Sequence, residues 1–154
     1  MTAQPTQHIG GRIRQVGRVL TELTITNRAD EIRAADGTIP SGKVRSVTLQ
    51  GVLVDTGANT LCLPKSLVDE LGLAHFRTAM ARTAAGEIAV EIFRDASINV
   101  LGRVGTFDCV QLPDDAEPLL GLLPLEGLGL EPDLQNETLR MLPDYGPRNF
   151  RFIY

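Results

Sequence analysis

The sequence predicts a mostly β, barrel-like domain carrying one or two short helices. Three observations predict it. Period-two alternation of apolar and polar residues recurs in short runs along the chain of 154 residues. Gly and Pro, 15 and 9 in number, fall largely between those runs, where the chain must turn. Helical spacing of apolar residues appears only twice, and briefly.

Residues 1–15 read as a flexible N-terminal tail, polar through residue 11 and broken by Pro5, Gly10 and Gly11. Residues 16–154 read as a single domain. From Val16 to Asn27, Val19, Thr21, Leu23 and Ile25 alternate with Arg18, Leu20, Glu22 and Thr24, which predicts a strand. Residues 28–43 are charged and hold Asp36-Gly37 and Pro40-Ser41-Gly42, so a loop or a broad hairpin tip is expected. Val44 to Gln50 returns to period two, with Val47 and Leu49 on one face. Gly51 interrupts it and Val52-Leu53-Val54 follows, so two strands joined tightly at Gln50-Gly51 are expected.

Pro64 suits a first helical position, Leu67, Val68 and Leu71 share a face, and Gly72 suits the position past the helix end. Ile88, Val90 and Ile92 form one arm of a hairpin over residues 74–93, whose small-residue tip is Thr83-Ala84-Ala85-Gly86. Ile98–Leu101 and Phe107–Leu112 read as two further strands around Gly102 and Gly105. Pro113-Asp114-Asp115-Ala116-Glu117 reads as a solvated acidic connection. A second short helix is expected from about Leu122 to Leu128, and a strand from Thr138 to Leu142. Tyr145, Phe150, Phe152 and Tyr154 crowd the C-terminus, and the last three alternate as in a strand.

Composition narrows the function. With 43% hydrophobic residues the chain can form a core, and with 5% aromatics and no Trp that core must be aliphatic. The formal net charge of −4 implies neither a phosphate-binding surface nor a polybasic membrane patch, so no nucleic acid and no membrane are expected as partners. No apolar run approaches the length of a membrane span. The first fifteen residues lack the apolar core of a signal peptide, so a cytoplasmic protein is expected. Cys62 and Cys109 make no disulfide framework and read as buried small hydrophobes. Their spacing with His8 and His75 does not suggest a zinc site. Neither His-Glu-x-x-His nor a Gly-rich loop followed by Lys-Ser/Thr occurs, so no metal and no cofactor are expected.

One stretch is unlike a structural strand. In Val52-Leu53-Val54-Asp55-Thr56-Gly57-Ala58, three apolar residues run straight into a carboxylate. An Asp at the end of a buried strand is costly to desolvate, which makes Asp55 the candidate catalytic residue. Gly57 permits a tight turn and a close backbone approach, and Thr56 adds a hydroxyl that can fix the turn.

This run resembles the active-site motif of the aspartic proteases: two hydrophobic residues, Asp-Thr/Ser-Gly, then Ala or Ser. Leu119-Leu120-Gly121, after Pro118 and before Leu122-Leu123-Pro124-Leu125-Glu126, resembles the hydrophobic-hydrophobic-Gly segment that crosses beside that motif in the family. The two together are similar to the retroviral-type, retropepsin-like branch, especially its free-standing bacterial and archaeal members. The likeness covers about residues 44 to 142. It implies a closed β-barrel of the acid protease fold over residues 16–154 and an aspartic endopeptidase activity. It also implies a flap over the cleft, placed here at Thr83, Ala84, Ala85 and Gly86. By the same likeness, the Thr56 hydroxyl braces a partner's loop, Gly57 lies beside the substrate, and Gly121 lets the crossing strand pass behind the loop.

Hydrolysis by carboxylates needs two of them, one to accept a proton from water and one to donate a proton to the carbonyl oxygen. The sequence holds one Asp-Thr-Gly, and Asp36-Gly37-Thr38 has the wrong order. The second carboxylate must therefore be Asp55 of another copy, on the two-fold axis of a homodimer. The expected partners are a peptide or protein substrate and a second copy of the chain. The competing reading is a catalytically silent peptide-binding or dimerisation module on the same fold.

Overall fold

The computed structural model describes residues 18–143 and, as backbone, the two strands β1 (Thr6–Ile9) and β2 (Arg12–Gln15). These two pair antiparallel within the stretch expected as a tail. The expected strand through Phe150, Phe152 and Tyr154 lies outside the described residues.

The remaining strands are β3 (Leu20–Asn27), β4 (Ser46–Val54), β5 (Leu61–Pro64), β6 (Ala74–Thr83), β7 (Gly86–Val100), β8 (Arg103–Leu112), β9 (Leu119–Leu120), β10 (Leu130–Asp133) and β11 (Thr138–Met141). Three short helices join them: α1 (Arg28–Ala35), α2 (Lys65–Leu71) and α3 (Leu122–Leu128). Six strands close into a ring in the order β3-β4-β9-β5-β8-β7, because β7 also pairs with β3 from Thr24↔Asn99 to Asn27↔Ala96. The mostly β prediction and its retropepsin-like fold agree with this architecture, with one helix more than expected. β6 extends the sheet outside the ring, and β10 and β11 form a separate hairpin.

Side-chain alternation builds the ring. On β3, Leu23 and Ile25 are fully buried while Leu20 and Glu22 face out. Leu61, Leu63, Ile98, Val100 and Leu120 converge on them, and Val68 and Leu71 of α2 and Leu125 and Leu128 of α3 close the core. As the composition requires, the fully buried apolar side chains are Leu, Ile, Val, Ala and Cys.

Three local expectations are corrected. First, residues 28–43 begin with a helix, not a loop. The Asn27 side chain accepts from Asp30 N at 3.0 Å, Asp30 and Glu31 occupy the first turn, and Arg33 the last. Only Asp30 of α1 is buried, so no apolar stripe announced it. Second, Gly51 does not divide two strands. Thr21 pairs with Val52 but Leu23 with Leu49, so Gln50-Gly51 bulges out of a continuous β4 opposite Glu22. Gly51 supplies the positive φ, +65°, that the bulge needs. Third, the runs at Ile88–Ile92 and Ile98–Leu101 are one strand of 15 residues, β7, bulged between Phe93 and Ala96, with Asp95 at φ +63°.

The acidic connection is also more than solvated. Asp114 accepts from Ser66 N at 2.7 Å and so caps the first turn of α2. That helix starts one residue later than expected, with Pro64 at the cap, and ends at Gly72.

Candidate active site

β4 and β5 are consecutive in the chain, yet they are not neighbours in the sheet. β9 lies between them, parallel to β4 through Leu53↔Leu119 and Val54↔Leu120, and antiparallel to β5 through Cys62↔Leu119. The loop from Asp55 to Thr60 must therefore pass over the end of β9. The Asp55–Thr60 loop and the Leu119-Leu120-Gly121 segment meet there.

Backbone hydrogen bonds hold this crossing. Asp55 N donates to Leu120 O at 3.0 Å, Leu122 N to Ala58 O at 2.8 Å, and Leu123 N to Asn59 O at 2.8 Å. Gly121 sits under the loop, where only a hydrogen fits. A β-carbon there would stand 2.6 Å from Ala58 O and 2.7 Å from Thr60 N, and closer still to Thr60 O. Leu120 is wholly buried in the core and Leu119 partly so.

Within the loop, Gly57 N donates to Asp55 Oδ1 at 2.9 Å and Ala58 N to Asp55 O at 3.1 Å. The Asp55 carboxylate is thereby oriented by its own turn. Asp55 is half-buried, not fully buried as the run of apolar residues implied, because Thr56 and Gly57 beside it are exposed on the single chain. The exit of the loop is held by a side chain: Thr60 Oγ1 donates to Asp108 O at 2.7 Å.

The loop borders a groove of about 860 Å³. Gly57, Ala58, Asn59 and Thr60 form one side, and Asp55 stands just outside this lining. β6 and β7 contribute Arg77, Met80 and Ile92, β8 contributes Thr106, Asp108 and Val110, and α3 contributes Leu123. The candidate flap is a hairpin with a two-residue tip, Thr83 pairing with Gly86. Thr83 Oγ1 donates to Gly86 O at 2.8 Å and accepts from Ala85 N at 3.2 Å. The body of the hairpin lines the groove through Arg77, Ala79, Met80, Ala81 and Arg82, whereas Thr83, Ala84, Ala85 and Gly86 lie outside the lining.

Cys62 also lines the groove. Burial, and after it the charge of Asp55, pushes its thiol up to about 11. Burial, with a smaller contribution from Cys62, drives the Cys109 thiol up as well. Both are free and buried, as read from the sequence, and such thiols are poor nucleophiles. His75 is half-exposed and pairs with Glu91.

The groove wall on β6 to β8 and the Thr60 anchor were not singled out in the sequence. Thr60 had a signal, a hydroxyl three residues beyond Gly57. Asp95 and Asp108 had none, since alternating charges on a strand look like any solvated face.

The comparisons with known proteins agree with the crossing of the two motifs. The chain matches a family model described as "gag-polyprotein putative aspartyl protease" over residues 50–126, a span that contains both Asp55 and Gly121. No curated protein matches the chain. With a match spanning half of its length, and with its Asp-Thr-Gly loop backed by the Leu-Leu-Gly segment, the chain belongs to the retropepsin-like gag-polyprotein aspartyl protease family.

Proposed function

We propose that the protein is an aspartic endopeptidase. It hydrolyses peptide bonds through a water activated by two Asp55 carboxylates, one from each subunit of a homodimer. The observation that carries this reading is the Asp55 loop, oriented by Gly57 N, backed by Gly121 and bordering a groove of about 860 Å³.

The dimer rests on stoichiometry and on surface chemistry. One chain supplies one such carboxylate. Exposed leucines surround it: Leu20, paired with Leu53 two residues before Asp55, and Leu122 and Leu123, bonded to the loop through Ala58 and Asn59. Apolar side chains gathered around a polar loop fit a surface that a second copy covers. Thr56 is exposed next to Asp55, and its hydroxyl is free to face a partner's loop.

Two carboxylates in contact cannot both ionise, so they share one proton. The ionised Asp55 takes a proton from the water as its oxygen attacks the peptide carbonyl carbon. The protonated Asp55 of the other subunit gives its proton to the carbonyl oxygen, forming a neutral gem-diol. Collapse of the gem-diol breaks the C–N bond. The amine leaves with a proton from one carboxyl, and a gem-diol proton returns to the other, restoring the shared state.

The test is cleavage of a mixed peptide library from mildly acidic to neutral pH, read by mass spectrometry, for wild type and Asp55→Asn. Cleavage by wild type alone is expected, with a rate at least about 10³-fold above the variant. Equal cleavage by both would place the chemistry elsewhere. Cleavage by neither, in a sample shown to be dimeric, would favour the peptide-binding module.

A further inference from the structure

The loop that carries Asp55 is held to the rest of the fold at three places. Two are backbone bonds that any sequence could make: Asp55 N to Leu120 O at its start, and the Leu122 and Leu123 amides to Ala58 O and Asn59 O at its middle. The third, at its exit, is the Thr60 hydroxyl on Asp108 O. Among the described residues, Thr60 is the one member of the loop whose side chain ties it to another strand. That strand is β8, whose Thr106, Asp108 and Val110 line the groove.

We propose that Thr60 is a positioning residue, whose hydroxyl locks the exit of the catalytic loop to β8 and so fixes the aim of the Asp55 carboxylate relative to the groove. The proposal rests on the protease reading and adds to it a residue outside the Asp-Thr-Gly motif.

The physical argument is one of leverage. β5 begins at Leu61, which pairs with Cys109, so the regular ladder between β5 and β8 stops just short of the loop. The Thr60 hydroxyl extends that connection by one residue into the loop. Thr60 also presses against Gly121 through its own N and O, so a shift of Thr60 moves the loop over its backing. Upstream, Ala58 N bonds Asp55 O and Gly57 N bonds Asp55 Oδ1. Displacement at the exit therefore reaches the carboxylate through two hydrogen bonds. Small misplacements of a reacting group lower the rate of the chemical step far more than they lower binding.

The test compares wild type, Thr60→Val and Thr60→Ser in the full chain. Valine keeps the shape and removes the donor, and serine restores the donor. With a peptide identified from the library, Thr60→Val is expected to lower kcat about tenfold or more while KM stays within about twofold. Thr60→Ser is expected to recover most of the loss. A second readout, hydrogen exchange, is independent of cleavage: the Gly57 and Ala58 amides are expected to exchange faster in Thr60→Val alone, with the thermal midpoint nearly unchanged. Wild-type kcat in Thr60→Val, an equal loss in Thr60→Ser, or unaltered exchange at Gly57 and Ala58 would overturn the proposal. If wild type cleaves no peptide, the protease reading fails by itself, and the exchange measurement still decides whether Thr60 braces the loop.

Discussion

At the scale of single residues, Gly121 sets the tightest limit. Its α-carbon lies so close to Ala58 O and Thr60 N that even a methyl group requires the catalytic loop to lift. Both obstacles are backbone atoms, which cannot step aside as a side chain would. Gly121→Ala is expected to lower stability by about 2 kcal/mol, read from urea unfolding, and to abolish cleavage because the loop is displaced. A variant that kept wild-type activity would show that the loop is slack. Gly57 and Thr56 were legible in the sequence because their motif is local. The close approach behind Gly121 was legible only through likeness to a family, since nothing in Leu119-Leu120-Gly121 by itself says what stands against it.

At the scale of elements, a buried polar cluster joins α1, the start of β4 and the end of α2. Asp30 is buried and accepts from Arg45 N at 3.0 Å, Arg45 Nε at 2.8 Å and Arg45 Nη2 at 3.0 Å. Asn27 donates to Leu71 O at 2.8 Å and Gly72 O at 3.2 Å while capping α1. The Arg45 hydrogen bonds hold the Asp30 carboxyl below its ordinary value of 3.8, against the opposing effect of burial. A lowered folded-state value means that Asp30 stabilises the fold at pH above the unfolded value. That contribution fades as pH falls through the folded one. The thermal midpoint of Asp30→Asn is thus expected to lie below wild type at pH 5 to 7. The two should converge as the pH drops well under 3.8. A gap that persisted in acid would mean that the helix is held by something other than this charge.

These polar devices explain where reading the sequence fell short. Strand β3 shows itself because one face is wet and one is dry, whereas β7, read as two strands, has no such alternation along its length and buries three residues in a row at Ala96, Ser97 and Ile98. Helix α1 has almost no dry face, and its start depends on an Asn cap and an Asp whose partner sits fifteen residues away. The bulge at Gln50-Gly51 looks the same in sequence as a turn, because a positive φ serves either, and only the register with β3 separates the two. Asp55 follows directly on β4 and is half-buried, less than the apolar run suggested. The apolar run before it describes β4, and the exposed Thr56 and Gly57 after it describe the surface.

At the scale of the whole molecule, the proposed homodimer makes activity depend on association, because one chain holds a single Asp-Thr-Gly. Leu20 and Leu122 are exposed beside the catalytic loop without lining the groove. Replacing both with Glu would set like charges against each other across a two-fold axis. The doubly substituted chain is expected to sediment as a monomer at concentrations where wild type is a dimer, with cleavage lost and its circular dichroism unchanged. Wild-type specific activity is likewise expected to fall on dilution below the dissociation constant. Activity that stays proportional to protein concentration in the monomeric range would exclude a shared site.

The two-residue strand β9 has a consequence for how the protein is made. Leu53 and Cys62, on either side of the catalytic loop, both wait for Leu119, which is synthesised long after them. Closing so long a loop is entropically slow, and contacts of this kind govern folding speed. A growing chain therefore carries an Asp-Thr-Gly with nothing behind it until Leu119, Leu120 and Gly121 have left the ribosome. On the proposed aspartic-protease reading, the site is assembled only after the Leu119-Leu120-Gly121 segment has been made and threaded behind it.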